Sequence, residues 1–193
     1  TGISTIGILT AGTTATDAGT AGTCYVKNII MHNTGLGTAR VSLFLNPDTP
    51  NTGVGYGTLA ANTTADNNTA IGHQSLKANS TGTTNVAVGS SALLANTTAS
   101  NNTAVGTSAL AANTTGSENT AVGLSALAAN TTAVSNSAFG FKTLFVNTTG
   151  AKNTALGESA LRANTTASNN TAVGFSALTA NTTGADNNAF GSG

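Results

Sequence analysis

The chain has 193 residues, of which only 6% are charged, and six acidic side chains balance six basic ones. About a quarter of a typical soluble domain is charged; here there is too little cationic charge to line a phosphate backbone, which argues against nucleic acid as a partner. The single cysteine, Cys24, offers neither an intrachain disulfide nor a cysteine-based metal site, and no apolar run approaches the ~20 residues that cross a bilayer.

In chain order, Ile3 to Thr10 reads as a strand and the Gly/Thr/Ala run from Ala11 to Thr23 as a loop. Cys24 to Met31 and Ala39 to Leu45 read as two further strands; the second alternates Val41, Leu43 and Leu45 with Arg40, Ser42 and Phe44, as a strand with one buried face should. Asn33-Thr34-Gly35-Leu36-Gly37 between them has hairpin-turn chemistry. Residues 1–48 are therefore expected to form a small β-domain, too thin to be stable without partner chains. Pro47 and Pro50 interrupt a ladder and mark the boundary to residues 49–193.

From Asn51 onward one unit recurs every seventeen residues without insertion or deletion: N-T-A-V-G-x-S-A-L-x-A-N-T-T-A/G-x-x. Numbering its positions from the first asparagine, position one is Asn51, Asn68, Asn85, Asn102, Asn119, Asn136, Asn153, Asn170 and Asn187. Position five is always glycine. Position four is always apolar (Val54, Ile71, Val88, Val105, Val122, Phe139, Leu156, Val173, Phe190), and position nine is always leucine (Leu59, Leu76, Leu93, Leu110, Leu127, Leu144, Leu161, Leu178). Charged side chains fall only on positions six, seven, ten, sixteen and seventeen. This separation assigns positions four and nine to the interior and the variable positions to solvent. A gapless period means that each unit has one shape and stacks on its neighbour, the signature of a solenoid.

Thr-Ala-Val-Gly reads as a short strand with glycine at a corner, and Asn-Thr-Thr as a second corner. Ser-Ala-Leu-x-Ala suits a helical turn or a second short strand equally. Stacking at about 4.8 Å per coil gives a shaft of roughly 40 Å. Position fifteen alternates strictly between alanine and glycine, from Ala65 and Gly82 to Ala167 and Gly184, so the underlying unit is two coils. Duplication of a two-coil ancestor accounts for this; alternate corners, one needing positive φ, are the physical alternative. Two large apolar side chains per coil make a narrow core, which leads to the expectation of a homotrimer with valine and leucine rows meeting on its axis.

No catalytic constellation is visible, and no cofactor or metal is expected. His32 and His73 stand apart, no carboxylate pair follows the period, and the glycines lack the Lys-Ser/Thr of a phosphate loop. Asn62, Asn79, Asn96, Asn113, Asn130, Asn147, Asn164 and Asn181 each begin an Asn-x-Thr glycosylation pattern, but a repeated corner whose asparagine caps backbone groups explains them without sugar. The sixth coil is the exception in the series. Phe141, Lys142 and Phe145 replace smaller residues there, and Phe175 takes the place of Phe141 two coils on. This aromatic cluster is the candidate surface-binding patch.

The unit N-T-A-V-G-x-S-A-L-x-A-N-T-T-G resembles the repeats of bacteriophage tail-fibre and related virion fibre proteins. It is similar, more loosely, to the S-x-A-x-G head repeats of trimeric autotransporter adhesins. Tyr25 to Gly35 followed by Val41 to Leu45 resembles small β-sandwich modules of phage virion proteins. The resemblance implies an all-β protein: an N-terminal sandwich-like domain followed by a trimeric β-roll or β-helix shaft. It implies a non-enzymatic virion fibre, virion-borne or extracellular, attached to other virion proteins through residues 1–48 and free to contact a host surface glycan. An ice- or surface-binding solenoid and a self-polymerising extracellular filament are the alternatives. The threonines gathered beside asparagine at the corners, rather than as Thr-x-Thr along a strand, speak against ice.

Overall fold

The computed structural model describes residues 51–193, together with the backbone of Ile29–His32 and Arg40–Asn46. The expected strand at Ile3 to Thr10, Cys24, and the side chain of His32 lie outside the described residues. Strands β1 (Ile29–His32) and β2 (Arg40–Asn46) pair antiparallel, Met31 opposite Val41, as expected of the two segments; the proposed turn at Asn33 to Gly37 lies outside the described residues. β2 then pairs antiparallel with β3 (Asn51–Val54), Leu43 opposite Val54. The described strands of the N-terminal region thus extend the sheet of the repeats; no second sheet facing them occurs among the described residues.

From β3 the chain winds as a parallel β-solenoid, without helix among the described residues. Each coil gives one three-residue strand at positions two to four, from β4 (Thr69–Ile71) through β5 (Val86–Val88), β6 (Thr103–Val105), β7 (Thr120–Val122), β8 (Ser137–Phe139), β9 (Thr154–Leu156) and β10 (Thr171–Val173) to β11 (Asn188–Phe190). The strands pair in sequence order, each residue opposite the one seventeen later, for example Ala104 against Ala121. Stacking is not confined to the strands. In the fourth coil Gly106 and Ser108 donate their N–H groups to Val88 and Ser90 of the coil before, and Leu110 and Ala112 donate theirs to Ala126 and Ala128 of the coil after. The backbone polar groups therefore find partners along the axis around most of the perimeter, as a narrow rod without side layers requires.

The Ser-Ala-Leu-x-Ala segment is neither helix nor strand. Positions seven and nine both have left-handed backbone: Ser108 has φ 56° and Leu110 φ 50°, and the pattern repeats in the other coils. The tight bend turns leucine into the coil, where Leu76, Leu93, Leu110, Leu127, Leu144 and Leu161 are fully buried. The conformation costs a non-glycine residue about 1–2 kcal/mol, while burying a leucine contributes about 1.5–3 kcal/mol. Leucine at position nine is thus held by its packing.

The inside and outside assignment needs one correction. The leucine row is interior as expected, with Leu59 also buried and Leu178 packed partly against the core. The position-four row is not: Val54, Val88, Val105 and Val122 are half-buried, and Ile71 is 40% exposed. Side chains alternate across a strand, so when the alanine of position three points in (Ala70, Ala87, Ala104, Ala121, all buried), positions two and four must point out. Valine and leucine rows cannot meet on a common axis, because each chain closes its own coil around the leucines.

What fills the rest of the interior is asparagine. The asparagines of positions one and twelve form two continuous ladders, buried in all but the end coils. Asn102 receives the N–H of Asn119 on its Oδ1 at 2.9 Å, and its own N–H donates to Oδ1 of Asn85 at 3.0 Å. In the other ladder Asn113 donates from Nδ2 to Oδ1 of Asn96 and to the carbonyl of Gly116, both at 2.9 Å, and accepts from Asn130 at 2.8 Å. Both ladders converge on the position-fifteen carbonyl: Ala99 O accepts from Asn85 at 2.8 Å and from Asn96 at 3.0 Å. A buried amide is tolerated when its donors and acceptors are satisfied, and a ladder of identical residues meets that condition at every step.

The alternation at position fifteen has a steric basis. Gly82, Gly116 and Gly150 do not adopt positive φ. A Cβ on Gly116 would instead lie 2.2 Å from the carbonyl oxygen of Ala133 in the next coil and 2.6 Å from Oδ1 of Asn113. Each glycine corner makes room for the alanine corner that follows it, so the repeating structural unit is two coils.

Candidate binding surfaces

With leucine, alanine and asparagine inside, functional side chains can stand only on the outer face of the coil. Position six is one exposed row, just past the glycine corner. It carries Tyr56, Leu124, Phe141 and Phe175, exposed by 54%, 48%, 38% and 58%. Tyr56 stacks on His73 of the next coil, with ring centroids 5.6 Å apart and planes 14° from parallel, so His73 joins an aromatic pair.

In the sixth coil the sequence-predicted residues do come together. The Lys142 ammonium lies 5.0 Å from the Phe141 ring centre and 5.6 Å from that of Phe145, a cation held between two aromatic faces. Lys142 occupies position seven, whose left-handed backbone (φ 51°) aims it across the turn between the rings. Phe175 stands in the same row two coils further on, about 10 Å away at ladder spacing. Glu158 lies in that row between Phe141 and Phe175, and Arg162 stacks beneath Phe145 at position ten. The cluster can present apolar rings and charges of both signs on a surface otherwise made of Ser, Thr, Asn and Ala.

Sequence reasoning missed a second surface, the outer face of the sheet. Positions two and four project from it side by side in register, Thr103 and Val105 beside Thr120 and Val122. Its largest side chains are exposed: Phe139 by 38%, Leu156 by 49% and Phe190 by 76%. The two-residue period of Thr-Ala-Val was the available signal, since it places position four beside position two and opposite position three.

Other features carry less. The asparagines of the Asn-x-Thr corners are fully buried from Asn79 to Asn164, their Nδ2 atoms donating to the preceding asparagine and to the corner carbonyl. In the folded coil those nitrogens cannot receive a sugar. Among the described residues no group of three or more His, Cys, Asp or Glu could hold a metal, and no helix is long and apolar enough to cross a membrane. A shallow depression is lined by Ala60, Ala61, Ala78, Leu94 and Ala95, with Gln74 and Lys77 as its polar side chains.

Together these features define the class: a parallel β-solenoid of seventeen-residue coils, stapled inside by asparagine ladders and varied mostly outside. The chain matches no protein-family model, no curated protein and no solved structure.

Proposed function

We propose that the chain is a non-enzymatic structural fibre of a phage virion, in which the solenoid is a projecting shaft and residues 1–48 attach it to other virion proteins. The observation that carries this reading is the unbroken register of the coils: seventeen-residue steps, with substitutions admitted on the outer positions. That is how a rod of fixed length is built, about 40 Å at ladder spacing. The likeness of the unit to tail-fibre repeats supplies the virion setting, and with it a virion or extracellular location. In this reading the shaft is a homotrimer, and the Phe141–Lys142–Phe145 cluster with Phe175 is where it contacts a host surface glycan. Electron microscopy of the full chain tests the proposal: discrete rods of uniform length are expected, and open-ended filaments would replace it with a polymerising filament. Removal of residues 1–48 should leave a folded rod that no longer attaches to particles; a truncated shaft that still attached would reverse the orientation.

A second reading gains from one observation. Position two is threonine in Thr52, Thr69, Thr103, Thr120, Thr154 and Thr171, all on the outer sheet face beside the position-four row. The threonines are thus not confined to the corners, and a flat Thr-x-Val array is a surface on which water can be ordered. Phe139 and Leu156 break its plane in the sixth and seventh coils, which favours the fibre. Clear thermal hysteresis in an ice-growth assay would overturn that preference.

A further inference from the structure

The outer sheet face is treated by the sequence as an interior although the single chain leaves it in water. Position four is apolar in all nine coils, including Ile71, Leu156 and Phe190 where exposure is greatest. Charged residues of the shaft occur on five other positions of the coil and never on positions two or four. The seventeen-residue repeats act as internal controls for one another: solvent-facing position six admits Tyr, His, Ser, Thr, Leu, Phe and Glu, whereas position four admits Val, Ile, Leu and Phe alone. An outward row that admits only apolar side chains in nine coils leaves exposed apolar surface on the scale that marks an interface.

From this outward apolar row we infer that the face formed by positions two and four is the surface through which copies of this chain pack on one another. The inference rests on the multi-copy reading given above and adds the surface that makes it. Two arguments select a second copy as the occupant. The first is pitch. The position-four side chains form nine ridges one ladder spacing apart, so a second copy, which carries the same ridges over the same length, can interdigitate from end to end. The second is area. Nine coils at about 4.8 Å by roughly five residues of width at about 3.3 Å give about 700 Å² per chain, or about 1,400 Å² for the pair, above the roughly 1,000 Å² that a specific interface needs. The leucines remain inside each chain, so association joins solenoids that are already closed.

The test is sedimentation of the full chain at micromolar concentration, with far-UV circular dichroism as the check on folding. The parent chain is expected to sediment as a discrete multi-copy species. Val105→Lys with Val122→Lys places two charges per copy on the face and should raise the dissociation constant by about 100-fold or more while leaving the spectrum unchanged. Thr103→Lys with Thr120→Lys, on the neighbouring row, should do the same and serves if the first variant fails to fold. Thr115→Lys with Thr132→Lys, exposed elsewhere on the coil, should leave association intact. A folded face variant that associates as tightly as the parent overturns the face while sparing the multi-copy reading. A parent chain that sediments as a monomer overturns both, and dissociation by the Thr115/Thr132 pair as well would overturn the assignment to this face.

Discussion

Replacing Asn113 by aspartate tests the interior ladder with a change of one atom. The Asn113 Nδ2 serves two acceptors, Asn96 Oδ1 and the Gly116 carbonyl, from a fully buried site. An aspartate there faces both with oxygen. Protonated, it can donate to one of them and orphans the other, at a cost of about 1–3 kcal/mol. Ionised, it donates to neither and adds an unpaired buried charge, so the folded state must hold it protonated with its pKa raised. The unfolded chain releases that proton near the ordinary value of about 3.9. A raised folded pKa means the charge-linked penalty is absent below the unfolded value and grows as the pH rises. At ~1.36 kcal/mol per unit it reaches about 4 kcal/mol at pH 7 if the folded group stays neutral there. Urea unfolding of Asn113→Asp and parent at pH 3 and pH 7 measures it. The stability gap is expected to widen from about 1–3 kcal/mol to about 5–7 kcal/mol. A gap independent of pH would refute the buried, donor-specific role of the amide.

Other perturbations separate the remaining features. Leu110→Ala should cost about 2–5 kcal/mol in chemical denaturation, since the site is fully buried between like neighbours; a loss below 1 kcal/mol would contradict the leucine core. Gly106→Ala puts a Cβ 2.5 Å from the Gly123 carbonyl oxygen and should lower the melting temperature sharply, whereas Gly191→Ala, with nothing within 4 Å, should incur only its backbone cost. Thr84→Asn should stabilise by about 0.5–1 kcal/mol, because Thr84 holds φ 58° at the exposed position where Asn67, Asn101 and Asn169 stand in other coils; a destabilised variant would argue against backbone strain there. Deleting Asn102 to Ser135 keeps glycine and alanine corners in alternation and should give a folded rod about 10 Å shorter by small-angle scattering. Deleting Asn102 to Glu118 alone sets Ala99 against Ala133 and should be clearly less stable; equal stability of the two would remove the steric account of the two-coil unit.

The coil, its period and its leucine row were legible because a gapless repeat leaves no freedom in register. The inside of the coil was less so. Valine at position four has the character of a core residue, and only the presence of alanine between it and threonine says that it points the other way. Asn113 looks like a corner cap in the sequence and Asn102 like no more than the start of the unit; their burial becomes acceptable only when the neighbouring coil supplies the missing partner, a relation between residues seventeen apart. The bend at positions seven to nine was hidden because Ser and Leu seldom adopt positive φ. Gly57 at position seven was its trace, as the Asn and Asp residues at position seventeen were of a separate left-handed turn. The aromatic cluster of the sixth coil was visible as a departure from the consensus, but the cation seated between Phe141 and Phe145 depends on a backbone turn that composition does not disclose.

The distribution of hydrogen bonds around the perimeter has a mechanical consequence. Adjacent coils are joined by N–H···O=C bonds on several sides of the coil and by two rows of amide side chains within it, all directed along the rod. A pull applied evenly across the end of the shaft therefore loads these bonds together, whereas a pull on one terminus opens them in succession, as in a peeled seam. The same coils would resist the first and yield to the second at lower force. For a spacer under load, endurance then depends on how each end is gripped, and a fitting that clasps the whole cross-section would keep the rod in its strong direction.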